Sequence, residues 1–238
     1  MTATTTVLIL RTCRPDMTAH DGFVWPQSGP VKVPDWDPTP ECGHGLHGLL
    51  WGCGDGGTIT YPVGRWLVVE AKADDVVDLG GKVKFPRGTV VYCGTRDEAI
   101  AYLDQHGAAD KPVVHATRTG GAYGTATAGD CGTAVAGAYG TATAGDYGTA
   151  VAGAGGTATA GLRGTATAGY YGTATAGDCG TATAGYYGTA TAGDCGEIRI
   201  RWLDGWRYRL AVGYVGEDGI KANTPYRVVD GKLVEVRA

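Results

Sequence analysis

Across residues 116–195 apolar and polar positions alternate with period two inside units of eight, on the theme Gly-Thr-Ala-Thr-Ala-Gly-x-x. Residues 124–131 (GTATAGDC) and 164–171 (GTATAGYY) are clean copies, and residues 116–123 (ATRTGGAY) are a degenerate first one. Alternation places the two Thr on one face of a strand and the two Ala on the other. Two glycines in every eight residues and the β-branched Thr oppose a helix. A period of eight also fits neither 3.6 residues per turn nor a heptad. The pattern therefore predicts short strands with an Ala core face and a Thr solvent face, joined by corners made of Gly and the variable pair.

The variable pairs set the true period. Alternate octads give one series, Ala122-Tyr123, Ala138-Tyr139, Ala154-Gly155, Tyr170-Tyr171 and Tyr186-Tyr187. The other series is Asp130-Cys131, Asp146-Tyr147, Leu162-Arg163, Asp178-Cys179 and Asp194-Cys195. Val135 and Val151, which replace the second Thr, also stand sixteen apart. Ten octads thus predict five coils of sixteen residues, each with two strands and two unlike corners. Stacked parallel strands lie about 4.7–4.9 Å apart, so the rod would be about 20–25 Å long.

The flanks read differently. Residues 1–115 pattern as a small α+β domain. Strands are expected at 7–11, 65–71, 82–85 and 89–92 from β-branched content and alternation. The N-terminal stretch MTATTTVLILRTCRPD lacks a basic region before its apolar run, so it reads as a first strand and not a signal peptide. Residues 25–40 are Pro-rich and irregular, and residues 41–57 are glycine-punctuated. Thr95 and Glu98 form a capping box, Ala99, Ile100 and Leu103 line one helix face, and Gly107 stops the helix. A strand over 111–115 is expected to lead into the repeat and, with the helix, to cover the first coil. After Cys195, Ile198 and Ile200 take the inward Ala positions while Glu197 and Arg199 take the outward Thr positions. Hairpins at Asp204-Gly205 and Asp230-Gly231 would complete a β cap over 196–238. The fold class expected is mainly β: a five-coil β-solenoid (116–195) between an N-terminal α+β capping domain and a C-terminal β cap.

Composition narrows the partners. The net charge is −4 with no basic block, which argues against nucleic acid and anionic membrane. No apolar run approaches a membrane span. Seven cysteines without a compact spacing framework fit a reducing cytoplasm. No cofactor is implied.

Two resemblances follow from these residues. The octad A-G-x-x-G-T-x-T resembles half of the sixteen-residue repeat of bacterial ice nucleation proteins, matching the Ala-Gly doublet, the Thr-x-Thr and the Tyr-bearing corner in register. The resemblance covers 116–195 and implies Thr rows that order water or bind ice, and a Tyr ladder used in side-by-side pairing. The chain departs from that family in having five coils instead of dozens, Thr-Ala-Thr on both faces, and no extensive N- and C-terminal regions. The segment from RTCRPDMTAHDGFVWPQSGPVKVPDWDP to ECGHGLHGLLWG resembles an uncharacterised domain of bacterial and bacteriophage proteins, found ahead of Gly-Ala-rich repeats. It implies no activity.

Candidate sites are then weighed against plainer roles. The unbroken Thr face comprises Thr125, Thr127, Thr141, Thr143, Thr157, Thr159, Thr173, Thr175, Thr189 and Thr191. A grid with about 6.7 Å along strands and about 4.8 Å between coils presents hydroxyls and methyls suited to ordered water. The plainer role is that outward Thr is a soluble strand residue. The Tyr corner (Tyr123, Tyr139, Tyr170, Tyr171, Tyr186, Tyr187) is an apolar, hydroxyl-tipped stripe suited to homodimerisation, or simply an internal stack. In the Asp corner, like charges repel at coil spacing. Asp is expected to bond its own turn's N–H groups, with Arg163 relieving Asp146 and Asp178. Cys179 and Cys195 sit on adjacent rungs, as small fillers or as a pair within disulfide reach. Cys42, His44, His47 and Cys53, with Cys13 or His20, are a weak metal-ligand set, since C-x-H-x2-H-x5-C matches no standard zinc spacing. Residues 43–47, Gly-His-Gly-Leu-His, resemble a segment before a helix in ADP-ribosyltransferase-like domains, which would put His47 in a catalytic cleft. The partners of that chemistry have no assignable counterparts, so no catalytic residue is named. The expected function is a non-enzymatic, water-ordering or ice-binding solenoid. The alternatives are an assembly module that pairs through its Tyr edge, and an enzymatic activity in residues 1–115.

Overall fold

The computed structural model describes residues 5–236; residues 1–4, the start of the N-terminal stretch, lie outside the described residues, and the strand expected at 7–11 lies within them. The chain divides into two compact units between residues 114 and 115.

In the first unit, β1 (Thr6–Cys13), β2 (Gly29–Lys32), β3 (Leu46–Leu50), β4 (Arg65–Lys72), β5 (Val77–Asp78), β6 (Val83–Phe85) and β7 (Arg87–Gly94) form one antiparallel sheet, in the order β2-β7-β4-β1-β3-β6-β5. Alternating apolar residues of β1 and β4 pack both faces. Ile9, Leu67 and Val69 join Trp25, Leu46 and Phe85 in one core. Helix α1 (Arg96–Leu103) packs on β4 and β7, burying Ala99, Ile100 and Leu103 as its pattern predicts. Its start is capped as expected, with Thr95 N–H and Oγ1 donating to Glu98 Oε2 at 3.2 and 2.6 Å. Gly107 ends the helical run at φ 106°.

Two strands lie where the sequence read as irregular. β2 carries Pro30, and as an edge strand it tolerates the missing N–H. β3 lies between β1 and β6. A Cβ at Gly48 would stand 2.6 Å from Leu10 O, so glycine there permits the close strand approach. In the other direction, residues 111–115 form no strand. Pro112 has no N–H to donate. Val113 and Val114 are instead buried, and Val114 N–H bonds Gly52 O.

The second unit is the solenoid. Its strands are β8 (Thr117–Gly120), β9 (Thr125–Thr127), β10 (Thr133–Ala136), β11 (Thr141–Ala144), β12 (Thr149–Ala152), β13 (Thr157–Ala160), β14 (Thr165–Ala168), β15 (Thr173–Ala176), β16 (Thr181–Ala184) and β17 (Thr189–Ala192). Each pairs in parallel with the strand sixteen residues away, as in Thr133↔Thr149 and Thr141↔Thr157. Even- and odd-numbered strands therefore form separate sheets. The inward Ala from Ala126 to Ala192 form one buried core. Each buried methyl contributes only about 0.8 kcal/mol, so close packing and backbone ladders supply the rest. Gly185 illustrates how close the coils are: a Cβ there would stand 2.6 Å from the Gly169 carbonyl carbon and oxygen.

The downstream end follows the expected pattern. β18 (Glu197–Asp204) continues the parallel register, with Ala182↔Ile198 and Ala184↔Ile200, and both Ile are buried. β19 (Arg207–Tyr214) then returns antiparallel. Its two-residue loop is Gly205-Trp206, one residue later than Asp204-Gly205, because Asp204 stays paired with Arg207. β20 (Tyr226–Val229) and β21 (Lys232–Glu235) form the second hairpin around Asp230-Gly231, both at positive φ, as a type I′ turn demands.

Candidate functional site

The Thr face belongs to the sheet of β9, β11, β13, β15 and β17. Thr125, Thr141, Thr157, Thr173 and Thr189 form one row in register, and Thr127, Thr143, Thr159, Thr175 and Thr191 the second. The rows are held at even height by the ladder. Thr141, Thr157 and Thr173 N–H each donate at 2.9 Å to the glycine carbonyl before the Thr one coil back. Both rows face outward, with Thr125, Thr141, Thr157 and Thr173 exposed and the other six Thr half-buried. The opposite sheet is less regular. Val135 pairs with Val151, and its downstream end carries the Arg199–Glu197 ion pair at 2.6 Å.

The corners share a backbone feature the sequence does not announce. The second variable residue of every octad from 116–123 on has positive φ: 56–61° at Tyr123, Tyr139, Tyr171 and Tyr187, 66° at Gly155, and 52–56° at Cys131, Tyr147, Arg163, Cys179 and Cys195. The left-handed turn aims its N–H at the next coil. Tyr123 bonds Ala138 O and Cys131 bonds Asp146 O, both at 2.8 Å. That bond stabilises a conformation which costs a non-glycine residue about 1 kcal/mol.

At the Tyr corner, Tyr123 stacks on Tyr139 at 5.2 Å and Tyr171 on Tyr187 at 5.1 Å, nearly parallel. The break at Gly155 is partly closed by Tyr139, whose ring lies 2.6 Å from where a Gly155 Cβ would be. Tyr170 meets Tyr171 edge-on, and Tyr186 stacks on Tyr187 at 3.8 Å. Tyr186 OH donates to Tyr187 OH at 2.8 Å. That bond first, and then burial, pushes the Tyr186 hydroxyl up to about 12, so it stays neutral at physiological pH. Tyr123, Tyr139, Tyr171 and Tyr187 are 57–77% exposed.

At the Asp corner three carboxylates reach across to the next coil. Asp130, Asp146 and Asp178 Oδ1 accept the backbone N–H of Asp146, Leu162 and Asp194, at 2.8–2.9 Å and sixteen residues on. The next coil offers a backbone N–H to each of these three carboxylates. The sixteen-residue period itself was the signal for this ladder. Arg163 is exposed and makes no ion pair with Asp146 or Asp178 among the described residues. Cys131, Cys179 and Cys195 are free and exposed thiols, not buried fillers.

The Cys/His candidates of the first unit are scattered. His44 Nδ1 pairs with Asp35 Oδ2 at 3.0 Å, and Cys42 Sγ accepts from Lys82 Nζ at 3.1 Å. Cys53 Sγ contacts Trp51 O at 3.6 Å, Cys13 is buried, and His47 lies on strand β3, not before a helix. Among the described residues no three His, Cys, Asp or Glu side chains are placed to hold a metal ion. No helix among them is long and apolar enough to cross a membrane.

Comparisons with known proteins found one family match and several relatives. Residues 7–102 match a family described as Domain of unknown function (DUF7666). The chain is 41% identical over 100 residues to an ice nucleation protein of Xanthomonas campestris pv. translucens, covering 41% of the chain and 6% of that protein. It is 39% identical over 103 residues to ice nucleation protein InaU of Pantoea ananas, covering 42% and 10%. It is 41% identical over 103 residues to an ice nucleation protein of Pseudomonas fluorescens, covering 42% and 8%. The chain thus spans a tenth or less of these relatives' length. No solved structure was found to match. The chain is a β-solenoid repeat protein similar to ice nucleation proteins.

Proposed function

We propose that the protein is a non-enzymatic solenoid that orders water and adsorbs to ice through the paired Thr rows of β9, β11, β13, β15 and β17. The observation that carries this reading is the unbroken register of the two rows through five coils. Rigid coils hold hydroxyls and methyls at a repeat of about 4.8 by 6.7 Å, so the face does not have to reorganise on meeting ordered water. The similarity to proteins named for ice nucleation supports the same reading. Five coils present a small face, which suits adsorption to existing ice better than nucleation. Ice shaping and thermal hysteresis test it. The wild-type protein should shape ice, and Thr157→Tyr, exposed at the centre of the face, should abolish shaping while leaving melting unchanged. Equal shaping by the variant would rule the face out.

A second reading is self-association through the Tyr corner. It rests on the exposed, stacked Tyr123–Tyr139 and Tyr171–Tyr187 pairs. Such a stripe is rigid, apolar and hydroxyl-tipped, the composition favoured at protein interfaces.

A further inference from the structure

The first unit contains a cleft of about 830 Å³ beside β1 and β3, lined by Arg11, Phe23, Trp25, His47, Ile59 and Lys82 among others. Its polar groups are badly matched to one another. The Arg11 guanidinium lies 4.2 Å over the Trp25 ring. Its Nη1 donates to His47 O at 3.2 Å and its Nε to Thr12 O at 3.3 Å. Both acceptors are neutral carbonyls, and no carboxylate pairs with the guanidinium among the described residues. A second cation, Lys82, has only the Cys42 thiol within hydrogen-bond distance among the described residues. Asp35, the acid at the rim, is taken by His44.

Two further polar atoms lack protein partners. Trp25 is 2% exposed, and among the described residues its indole Nε1–H has no acceptor; His47 Nε2 is buried and has no hydrogen-bond partner among them either. Buried orphan donors are rare in folded proteins and destabilise them. An uncompensated guanidinium in the same cleft adds to that cost. Burial, opposed by Cys13 and Tyr61, pulls Arg11 down to about 10, which still leaves it charged at neutral pH. The walls between these groups are apolar, with Phe23 set edge-on to Trp25 at 5.5 Å. Cationic heads, unpaired donors and aromatic walls in a cleft of this size are the makings of a small-molecule site.

We propose that this cleft binds a small organic anion, its charged head held by Arg11 and Lys82 with the Trp25 indole N–H, and its planar apolar body packed against Phe23 and Ile59. The site is separate from the Thr face and does not depend on it. Calorimetric titration of the full chain with phenyl phosphate, benzoate and inorganic phosphate tests the proposal. Fragments of this size bind in roughly the millimolar range. At least one of the ring-bearing anions should bind with one-to-one stoichiometry, and comparing the two distinguishes a phosphate from a carboxylate head. Arg11→Met should weaken binding about tenfold or more, because it removes a charge-assisted contact. It should not lower the melting temperature, since it also removes a part-buried charge that has no carboxylate partner among the described residues. Lys82→Gln, at the partly exposed rim, should weaken binding without affecting folding and decides the matter if Arg11→Met misfolds. Absence of binding by both ring-bearing anions up to about 10 mM overturns the proposal. So does binding unaffected by Arg11→Met or, where that variant misfolds, by Lys82→Gln. Inorganic phosphate binding as tightly as phenyl phosphate would show an adventitious ion only and would equally overturn it.

Discussion

Arg163 shows how little a corner side chain has to do for the fold. It holds φ at 52°, is exposed, and has neither Asp146 nor Asp178 as an ion-pair partner. What the position needs is the left-handed backbone, whose N–H bonds Asp178 O at 2.8 Å. Glycine adopts that backbone without steric cost, as Gly155 does on the other corner. Arg163→Gly should therefore stabilise the solenoid by about 0.5–1 kcal/mol, read as a raised denaturant midpoint. A second residue-scale expectation concerns His47. Burial first, then the charges of Lys82, Arg11 and Lys84, hold its pKa below 6.5. The unfolded chain thus binds a proton more readily than the folded one. Stability from this group is complete above about pH 6.5 and declines as pH falls below it. His47→Gln should flatten that part of the stability–pH curve for the first unit.

The elements were legible in the sequence to the extent that their residues obeyed local rules. The Thr-Ala-Thr alternation gave each solenoid strand its faces, and the spacing of the Tyr and Asp pairs gave the sixteen-residue pairing later seen in the register. The capping box at Thr95 and Glu98 placed α1 for the same reason. Where a tertiary requirement overrode local preference, reading along the chain failed. Gly48 looks like punctuation but is a strand residue, needed where Leu10 passes close by. Pro30 looks like a breaker but occupies an edge. The cleft was invisible because Arg11, Trp25, His47 and Lys82 come from separate segments and share no motif. The Asp ladder was misread because a carboxylate's nearest N–H in sequence is not its nearest in space. At the downstream end, Ile198 and Ile200 replace the Ala core where the coil gives way to hairpins packed with Val215, Ile220, Val228 and Leu233. Ile200→Ala should cost about 2–5 kcal/mol in chemical denaturation, far more than any substitution of an exposed Thr.

For the whole molecule, the two candidate surfaces of the solenoid separate cleanly, because they lie on different sides of the same coil. The Thr rows are on a sheet face and the Tyr stack is on a corner. Loss of one need not disturb the other. Tyr171→Ala/Tyr187→Ala removes two stacked, exposed rings without touching a Thr. Sedimentation equilibrium should show the wild-type chain populating a dimer and the double variant shifted towards monomer by about tenfold or more in dissociation constant. An unchanged balance would sink the pairing idea and leave ice adsorption untouched.

The strict i to i+16 pairing has a consequence for how such a chain can change its length. Duplication or loss of sixteen residues lays Tyr on Tyr and Asp under its N–H partner, so both edges stay continuous and the downstream hairpins still find the strands they pair with. Duplication of a single octad preserves every Thr and Ala contact but crosses the edges beyond the insertion, setting Asp pairs over Tyr pairs. The backbone repeats every eight residues, yet the surface chemistry is inherited only in whole turns.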